Sequence, residues 1–226
     1  MMRTHLFFCM HSTFQYLFYV IIGIVYHPVM ASVLTVEVLS IKNKPLEEMV
    51  VYASPKNFQA QLTSEKPPLT IKQKEGAFTP YINIIQRYQS VNFVNIDDIT
   101  HHIYSVSGKT RFSFKLRASQ EKKLKNFTVP EDVAMGCNIH DWMSGFILVV
   151  DTPYFGKTNA KGKLKLNLPP EEYTIVVWHP QMQSTNNRIS KRLILNNNQE
   201  ITFQLSKAMQ AIPAQDGLQY LEFDDY

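Results

Sequence analysis

The sequence predicts an all-β protein in which short strands pack into a sandwich. Apolar and polar side chains alternate in several short runs, and a period of two residues is typical of a half-buried strand. Turn-forming residues separate these runs at short intervals. No amphipathic helix longer than about two turns is predicted. Many short strands divided by turns favour a β-sandwich over helical or α/β architectures.

Alternating strands are predicted at three places and fully buried strands at two. Residues 111–117, 163–168 and 201–205 alternate apolar with polar side chains. The runs 146–150 and 175–178 are apolar throughout and rich in β-branched or aromatic residues. Such runs indicate central strands that are buried on both faces.

Turns and one short helix complete the predicted elements. Turn-forming segments lie at residues 43–45, 159–162 and 169–172, each between two apolar runs. A short helix is predicted over residues 119–125, with the hydroxyl of Ser119 as its N-cap.

The first 31 residues are predicted to be a signal peptide. Arg3 supplies a positive start, residues 14–25 are mostly apolar, and Val29-Met-Ala31 places small residues where a signal peptidase cuts. The apolar run is shorter than a typical membrane span, and an uncleaved anchor is the alternative. We therefore expect export, most simply to a bacterial periplasm.

The remaining residues, 32–226, have the composition of a globular protein. The removed segment holds one arginine and no acid, so the net charge falls from +4 to +3, too little to indicate nucleic-acid binding. Cys9 leaves with the signal peptide, and Cys137 remains as the only cysteine. A lone thiol in an exported protein cannot form an internal disulfide. It is either buried and inert or committed to other chemistry, such as metal binding.

The segment Cys137-Asn-Ile-His140-Asp-Trp-Met143 places a thiolate, an imidazole and a thioether within seven residues. Soft sulfur, borderline nitrogen and a second, weaker sulfur are the donors that suit copper. A trigonal copper site needs one more imidazole, and His101-His102 supplies it upstream. Zinc is the competing metal, but methionine is a poor zinc ligand. These residues predict a mononuclear copper site.

The two segments together resemble the cupredoxin, or blue copper, family. The resemblance rests on Phe78-Thr-Pro, Val91-Asn-Phe-Val-Asn-Ile-Asp97 and Thr100-His-His-Ile103, followed by the Cys-x-x-His-x-x-Met loop. The loop spacing is similar to that of amicyanin. More narrowly, the chain resembles exported plastocyanin-like proteins often labelled methylamine-utilisation proteins. This resemblance covers residues 70–150 and implies a Greek-key β-sandwich.

The resemblance implies which residues bind the metal and what each does. His101, Cys137 and His140 would form the trigonal plane, and Met143 would be the long axial ligand that tunes the potential. His102 stands where many relatives have asparagine, so either histidine of the pair is a candidate ligand. In the family the histidine of the C-terminal loop is exposed, which makes His140 the expected electron port.

Other parts of the chain resemble a second kind of sandwich. Residues 36–52 and 158–178 are similar to strands of carboxypeptidase-regulatory, transthyretin-like domains. We therefore expect five parts. They are a signal peptide (1–31), N-terminal strands that belong with an accessory sandwich (32–69), a cupredoxin segment (70–150), accessory transthyretin-like strands (151–205) and a polar C-terminal tail (206–226).

Several polar residues near the predicted site have structural rather than functional interpretations. Asn95 is expected to tether the two ligand loops through hydrogen bonds. Asp97, Asp98 and Asp141 are expected to be solvated loop charges, with an acidic rim as the alternative. His179 is expected to be structural or to lie on the surface.

The sequence favours a periplasmic carrier of single electrons, with one copper per chain and an unidentified redox partner protein. It contains no Ser-His-acid pattern and no phosphate-binding glycine loop, so hydrolytic enzymes are not indicated. Its histidines beyond residue 31 are four, too few for multicopper oxidase chemistry. We expect no catalytic residues, no nucleic-acid partner and no span beyond the first segment. The alternative is a module that stores or delivers copper, or recognises a partner, without shuttling electrons.

Overall fold

The computed structural model describes residues 31–57, 66–106, 108–125 and 127–215. The predicted signal peptide, residues 1–31, lies outside this part of the chain except for Ala31. Residues 216–226 of the predicted tail also lie outside it. Within the described residues no helix is long and apolar enough to cross a membrane.

Sixteen strands and one 3₁₀ turn make up the secondary structure of the described residues. The strands are β1 (Ser32–Leu39), β2 (Val50–Pro55), β3 (Leu69–Lys74), β4 (Ala77–Thr79), β5 (Ile82–Gln86), β6 (Val91–Asn95), β7 (His101–Ser105), β8 (Phe112–Leu116), β9 (Glu121–Leu124), β10 (Glu131–Cys137), β11 (Ser144–Val150), β12 (Phe155–Lys157), β13 (Lys163–Leu168), β14 (Glu171–Trp178), β15 (Arg188–Leu195) and β16 (Gln199–Gln204). The 3₁₀ turn is Thr185–Asn187.

Four sheets pair face to face as two sandwiches. The sheets β5-β11-β10-β7-β8 and β4-β3-β6-β9 enclose one apolar core. The sheets β13-β1-β16 and β12-β2-β14-β15 enclose another. The predicted all-β sandwich architecture is therefore confirmed.

A smaller apolar cluster joins the outer faces of the two sandwiches. Leu148 and Val150 of β11 meet Val50 of β2 and Trp178 of β14 there. Successive side chains of a strand point to opposite faces, so β11 and β14 contribute to a sandwich core on one face and to this junction on the other. This explains why the runs 146–150 and 175–178 are apolar at every position, and it confirms that both strands are buried on two sides.

The predicted helix over residues 119–125 is wrong. Residues 121–124 form strand β9, which pairs antiparallel with β6 from Val91↔Leu124 to Val94↔Glu121. Ser119 has a φ of +59° and lies in a tight turn in which the N–H of Gln120 donates to the carbonyl of Arg117. The lysines of this segment are good helix formers, but helix propensity is a weak preference that tertiary contacts override. Pairing with the edge of β6 outweighs it here.

Candidate metal centre

Three potential metal donors converge at one end of the first sandwich. The Nδ1 of His101 lies 3.8 Å from the Sγ of Cys137, and the Nδ1 of His140 lies 3.9 Å from the same sulfur. All three donor atoms lie within 4.8 Å of one another. The two imidazole rings stand 5.0 Å apart between centroids.

Strand pairing positions the first two donors. β10 runs antiparallel to β7, with Cys137 opposite Ile103, so His101 is the diagonal neighbour of Cys137 on the same face. Both side chains point into the core: His101 is 0% exposed and Cys137 is 4% exposed. Rigid strands therefore hold two of the three donors, as a precise metal site requires.

A tight loop returns the chain past the third donor and into β11. The N–H of Met143 donates to the carbonyl of His140 at 3.0 Å, which closes the loop just before the strand begins. Met143 is 1% exposed and belongs to the same apolar cluster as Cys137. His140 is half-buried, whereas the adjacent Ile139 is 51% exposed. The loop thus brings one donor close to solvent and leaves the thioether inside.

The thiol of Cys137 lies in an environment that favours its thiolate. Burial raises the pKa of this thiol, but hydrogen bonds from His101 and from the backbone of Ile139, His102 and His140 outweigh burial and lower the pKa to about 6. The thiolate is the form that binds metals. The site therefore holds its sulfur ready to bind a metal ion at neutral pH.

Asp97 bonds directly to the buried histidine. Its Oδ2 lies 2.8 Å from the Nε2 of His101, and the Asp97 side chain is only 12% exposed. The expectation that Asp97 is a solvated loop charge is therefore wrong. Asp98 and Asp141 are exposed, in agreement with that expectation for them. Sequence reasoning missed the contact because the spacing of four residues in a loop does not fix how the chain folds back.

Partners of both Asp97 and His101 shift their pKa values. Burial disfavours the charged form of each group, and hydrogen bonding between them opposes this effect. The N–H groups of Gly76 and Glu75 also donate to the carboxylate of Asp97, and the net result is a lowered pKa for Asp97. The pKa of His101 is raised because contacts with Cys137 and Asp97 outweigh its burial.

His102 points away from the three donors. Its Nε2 lies 2.8 Å from the Oγ of Ser113, and its Nδ1 lies 3.2 Å from the Nδ2 of Asn138. The N–H of Asn138 also donates to the carbonyl of His102 at 3.0 Å. The link between the two ligand-bearing segments is thus made by Asn138 and His102.

The predicted role of Asn95 as that link is wrong. Its Nδ2 donates to the carbonyls of Ile99 and Leu116, and its Oδ1 accepts from the N–H of Asp97. Asn95 therefore fixes the loop between β6 and β7 against β8. It holds the segment that leads into His101, whereas Asn138 and His102 hold the cysteine loop.

Trp142 lies beside His140, with 5.1 Å between ring centroids. The indole also packs on the turn between β3 and β4, where a Cβ added to Gly76 would lie 3.4 Å from its Nε1. Gly76 has a φ of +69°, a conformation that favours glycine. The tryptophan therefore forms an aromatic wall between this turn and the half-exposed histidine.

The donor arrangement fits a thiolate-binding metal ion. Nitrogen and thiolate donors sit about 2.0–2.3 Å from a bound ion, so a nitrogen and a sulfur about 120° apart around it lie about 3.8 Å from each other. The observed distances from the sulfur to the two Nδ1 atoms are 3.8 and 3.9 Å. Two imidazoles, a thiolate and a nearby buried thioether form a donor set that suits copper.

Comparison with known proteins finds similar solved structures but no matching family. No protein-family model matches the chain, and no curated protein matches it. A copper-containing nitrite reductase from Thermus scotoductus is 26% identical over 44% of this chain, with a TM-score of 0.37. The chain spans only 26% of that enzyme's length.

Two small copper proteins are also similar. A Cu(I) form of an amicyanin mutant is 16% identical over 44% of this chain and 99% of its own, with a TM-score of 0.35. A purple cupredoxin from Nitrosopumilus maritimus is 19% identical over 36% of this chain and 99% of its own, with a TM-score of 0.34. Likeness at this level does not assign a function to the chain.

Proposed function

We propose that this protein is a mononuclear copper protein that carries single electrons between redox partners. In this proposal His101, Cys137 and His140 bind the ion, and Met143 is the axial ligand. The convergence of two imidazole nitrogens on one thiolate sulfur, at 3.8 and 3.9 Å, is the observation that carries the proposal. Copper bound there would supply a one-electron Cu(II)/Cu(I) couple.

The rigidity of the site supports electron transfer over copper delivery. His101 begins β7, Cys137 ends β10, and Met143 directly precedes β11. Ligands fixed by strands change little between oxidation states, which keeps the reorganisation on electron transfer small. Delivery would instead require ready exchange of ligands, and three of these four side chains are buried.

The surface around His140 supports a role for this residue as the electron port. Exposed apolar side chains lie close in sequence to both histidine donors: Ile96 and Ile99 precede β7, which begins at His101, and Ile139 precedes His140. An apolar rim allows close approach of a partner with little cost in desolvating charge. We propose that a redox partner protein docks over this rim.

We also propose a division of the chain between two units. Residues 70–150 would form the copper-binding unit, and residues 32–69 and 151–205 would together contribute the accessory sandwich. In support, β1 pairs with β13 and β16, while β2 pairs with β12 and β14. We further propose a periplasmic location, based on the signal-peptide pattern of residues 1–31. No bond-making chemistry is assigned to the protein, which would act as a carrier and not as an enzyme.

The visible absorption spectrum of the mature protein titrated with Cu(II) tests the proposal. We expect an intense thiolate-to-copper charge-transfer band at one equivalent, which Cys137→Ser abolishes. Cyclic voltammetry should give a reversible one-electron wave. His102→Gln is the control and should keep the band, because His102 faces Ser113 and Asn138. Rapid loss of Cu(I) to a mild chelator, without a reversible wave, would favour copper delivery.

A further inference from the structure

The carboxylate of Asp97 joins two parts of the metal centre, the turn at Glu75 and Gly76 and the ring of His101. Its Oδ1 accepts from the N–H of Glu75 at 2.6 Å, and its Oδ2 accepts from the N–H of Gly76 at 3.1 Å. The same Oδ2 lies 2.8 Å from the Nε2 of His101. The loop that holds Asp97 is itself fixed, because its backbone N–H donates to Asn95. The contact between Asp97 and His101 is thus fixed by hydrogen bonds to the surrounding backbone and to Asn95.

This contact favours one tautomer of His101. An ionised carboxylate only accepts hydrogen bonds, so Asp97 favours the neutral imidazole with its hydrogen on Nε2. The thiolate of Cys137, 3.8 Å from Nδ1, competes for that hydrogen until the sulfur is protonated or binds a metal. Asp97 therefore favours the form of the imidazole that binds a metal through Nδ1.

The same contact places a negative charge one imidazole ring away from the donor set. A carboxylate on the outer N–H of a ligating histidine increases the basicity of the inner nitrogen. Stronger donation and nearby negative charge both stabilise Cu(II) more than Cu(I), since Cu(II) carries the larger charge. His101 is 0% exposed, so solvent screens this interaction poorly.

Asp97 also reaches the half-exposed side of the site through the turn that it binds. Gly76 of that turn lies against the indole of Trp142, which stands 5.1 Å from the ring of His140. One carboxylate therefore fixes the buried histidine directly and supports the aromatic wall beside the other histidine.

We propose that Asp97 is the positioning residue of the metal centre: it holds His101 in the Nε2–H tautomer and lowers the reduction potential by favouring Cu(II). Only the part about the reduction potential rests on the proposed copper function. The tautomer is a property of the metal-free protein and is tested without copper.

The first experiment records ¹⁵N shifts of the His101 ring by NMR in the metal-free protein carrying Cys137→Ser, which removes the competing thiolate, at a pH where the ring is neutral. With Asp97 intact, the ring is expected to hold the Nε2–H tautomer. Adding Asp97→Asn is expected to release a mixture of tautomers, while adding Asp98→Asn leaves the Nε2–H pattern. A ring in the Nδ1–H tautomer with Asp97 intact would overturn the inference, whether or not the double variants fold.

The second experiment measures reduction potentials of copper-loaded variants. Asp97→Asn is nearly isosteric and is expected to keep the charge-transfer band. The ratio of Cu(II) to Cu(I) affinity should fall about tenfold, which raises the reduction potential by about 59 mV for one electron. The control Asp98→Asn removes the same charge from the exposed neighbour and should shift the ratio less than about twofold. Asp97→Glu keeps the charge and should recover part of the shift.

The outcomes separate the two proposals. A wild-type protein with the charge-transfer band, together with equal potentials for Asp97→Asn and Asp98→Asn, refutes the role of Asp97 and leaves the copper function standing. A wild-type protein without that band refutes the copper function, and the tautomer measurement still decides whether Asp97 positions His101.

Discussion

The indole N–H of Trp178 donates to the Oδ2 of Asp132 at 2.9 Å, across the junction between the two sandwiches. Trp178 ends β14 of one sandwich, and Asp132 lies in β10, the strand that ends at Cys137. The Oδ1 of the same carboxylate accepts from Arg188 of β15. A polar contact to β10, the strand that carries the thiol, therefore accompanies the apolar cluster that connects β2 and β14 to β11.

We expect Asp132→Ala to lower the free energy of unfolding by about 1–3 kcal/mol, because the buried indole N–H loses its acceptor. Most of this cost should come from the indole, since the Asp132–Arg188 pair is about one-third exposed and is screened by solvent. Urea denaturation measures the change. Asp151→Ala, which breaks a more exposed ion pair with Arg87, is the control and should cost less than about 1 kcal/mol.

A double-mutant cycle isolates the Trp178–Asp132 contact. Trp178→Phe keeps a ring at the junction but removes the donor. If the contact stabilises the junction, the two changes together should cost less than their sum, with a coupling of about 0.5–3 kcal/mol. Additive losses would mean that the hydrogen bond contributes nothing.

Met143→Leu tests the proposed axial ligand. The side chain is 1% exposed in the core, and a change between methionine and leucine of similar volume usually costs less than about 1.5 kcal/mol. We expect the charge-transfer band to persist and the reduction potential to rise, because Cu(II) loses a donor. Cyclic voltammetry measures the potential, and a lower or unchanged value would argue against axial binding.

The two proposed histidine ligands should respond differently to truncation. His140→Gly opens a gap at the surface, so added imidazole is expected to enter and restore the charge-transfer band. His101→Gly is the matched comparison, and imidazole should fail to restore the band because this side chain is 0% exposed. Absorption spectra across an imidazole titration measure both. Equal rescue of the two variants would contradict the proposed port at His140.

The buried imidazole of His179 should make the free energy of unfolding depend on pH. Burial lowers its pKa to about 4, with smaller contributions from Glu48, which raises the pKa, and from Lys157, which lowers it. His179 is therefore protonated near pH 6.5 in the unfolded chain but only near pH 4 in the folded protein. The stability associated with neutral His179 is complete above pH 6.5 and is lost as the pH falls toward 4, by on the order of 3 kcal/mol.

His179→Asn should flatten this dependence. The Oδ1 of asparagine can replace the ring Nδ1 that accepts from the N–H of Gln181, but it does not titrate. Urea unfolding of both proteins from pH 7 to pH 4 gives the difference between them. The wild-type protein should lose stability faster than the variant as the pH falls, and parallel curves would rule out this contribution.

The strands were predictable because their cause is local. Residues 163–168 alternate apolar and polar side chains, and β13 occupies the same positions with one face in the core. The helix expected over 119–125 failed because its alternative was not local. Only the approach of β6, some 30 residues earlier in the chain, makes a strand the better choice there.

By itself the sequence determined the all-β class and placed Cys137, His140 and Met143 within one seven-residue segment. The tertiary structure decided which histidine of the pair 101–102 faces the thiol, through the pairing of β7 with β10. It also decided that Asp97 bonds to His101 and that Asn138, not Asn95, links the two ligand segments. Strand register and loop closure depend on contacts between distant residues, and a linear pattern does not specify them.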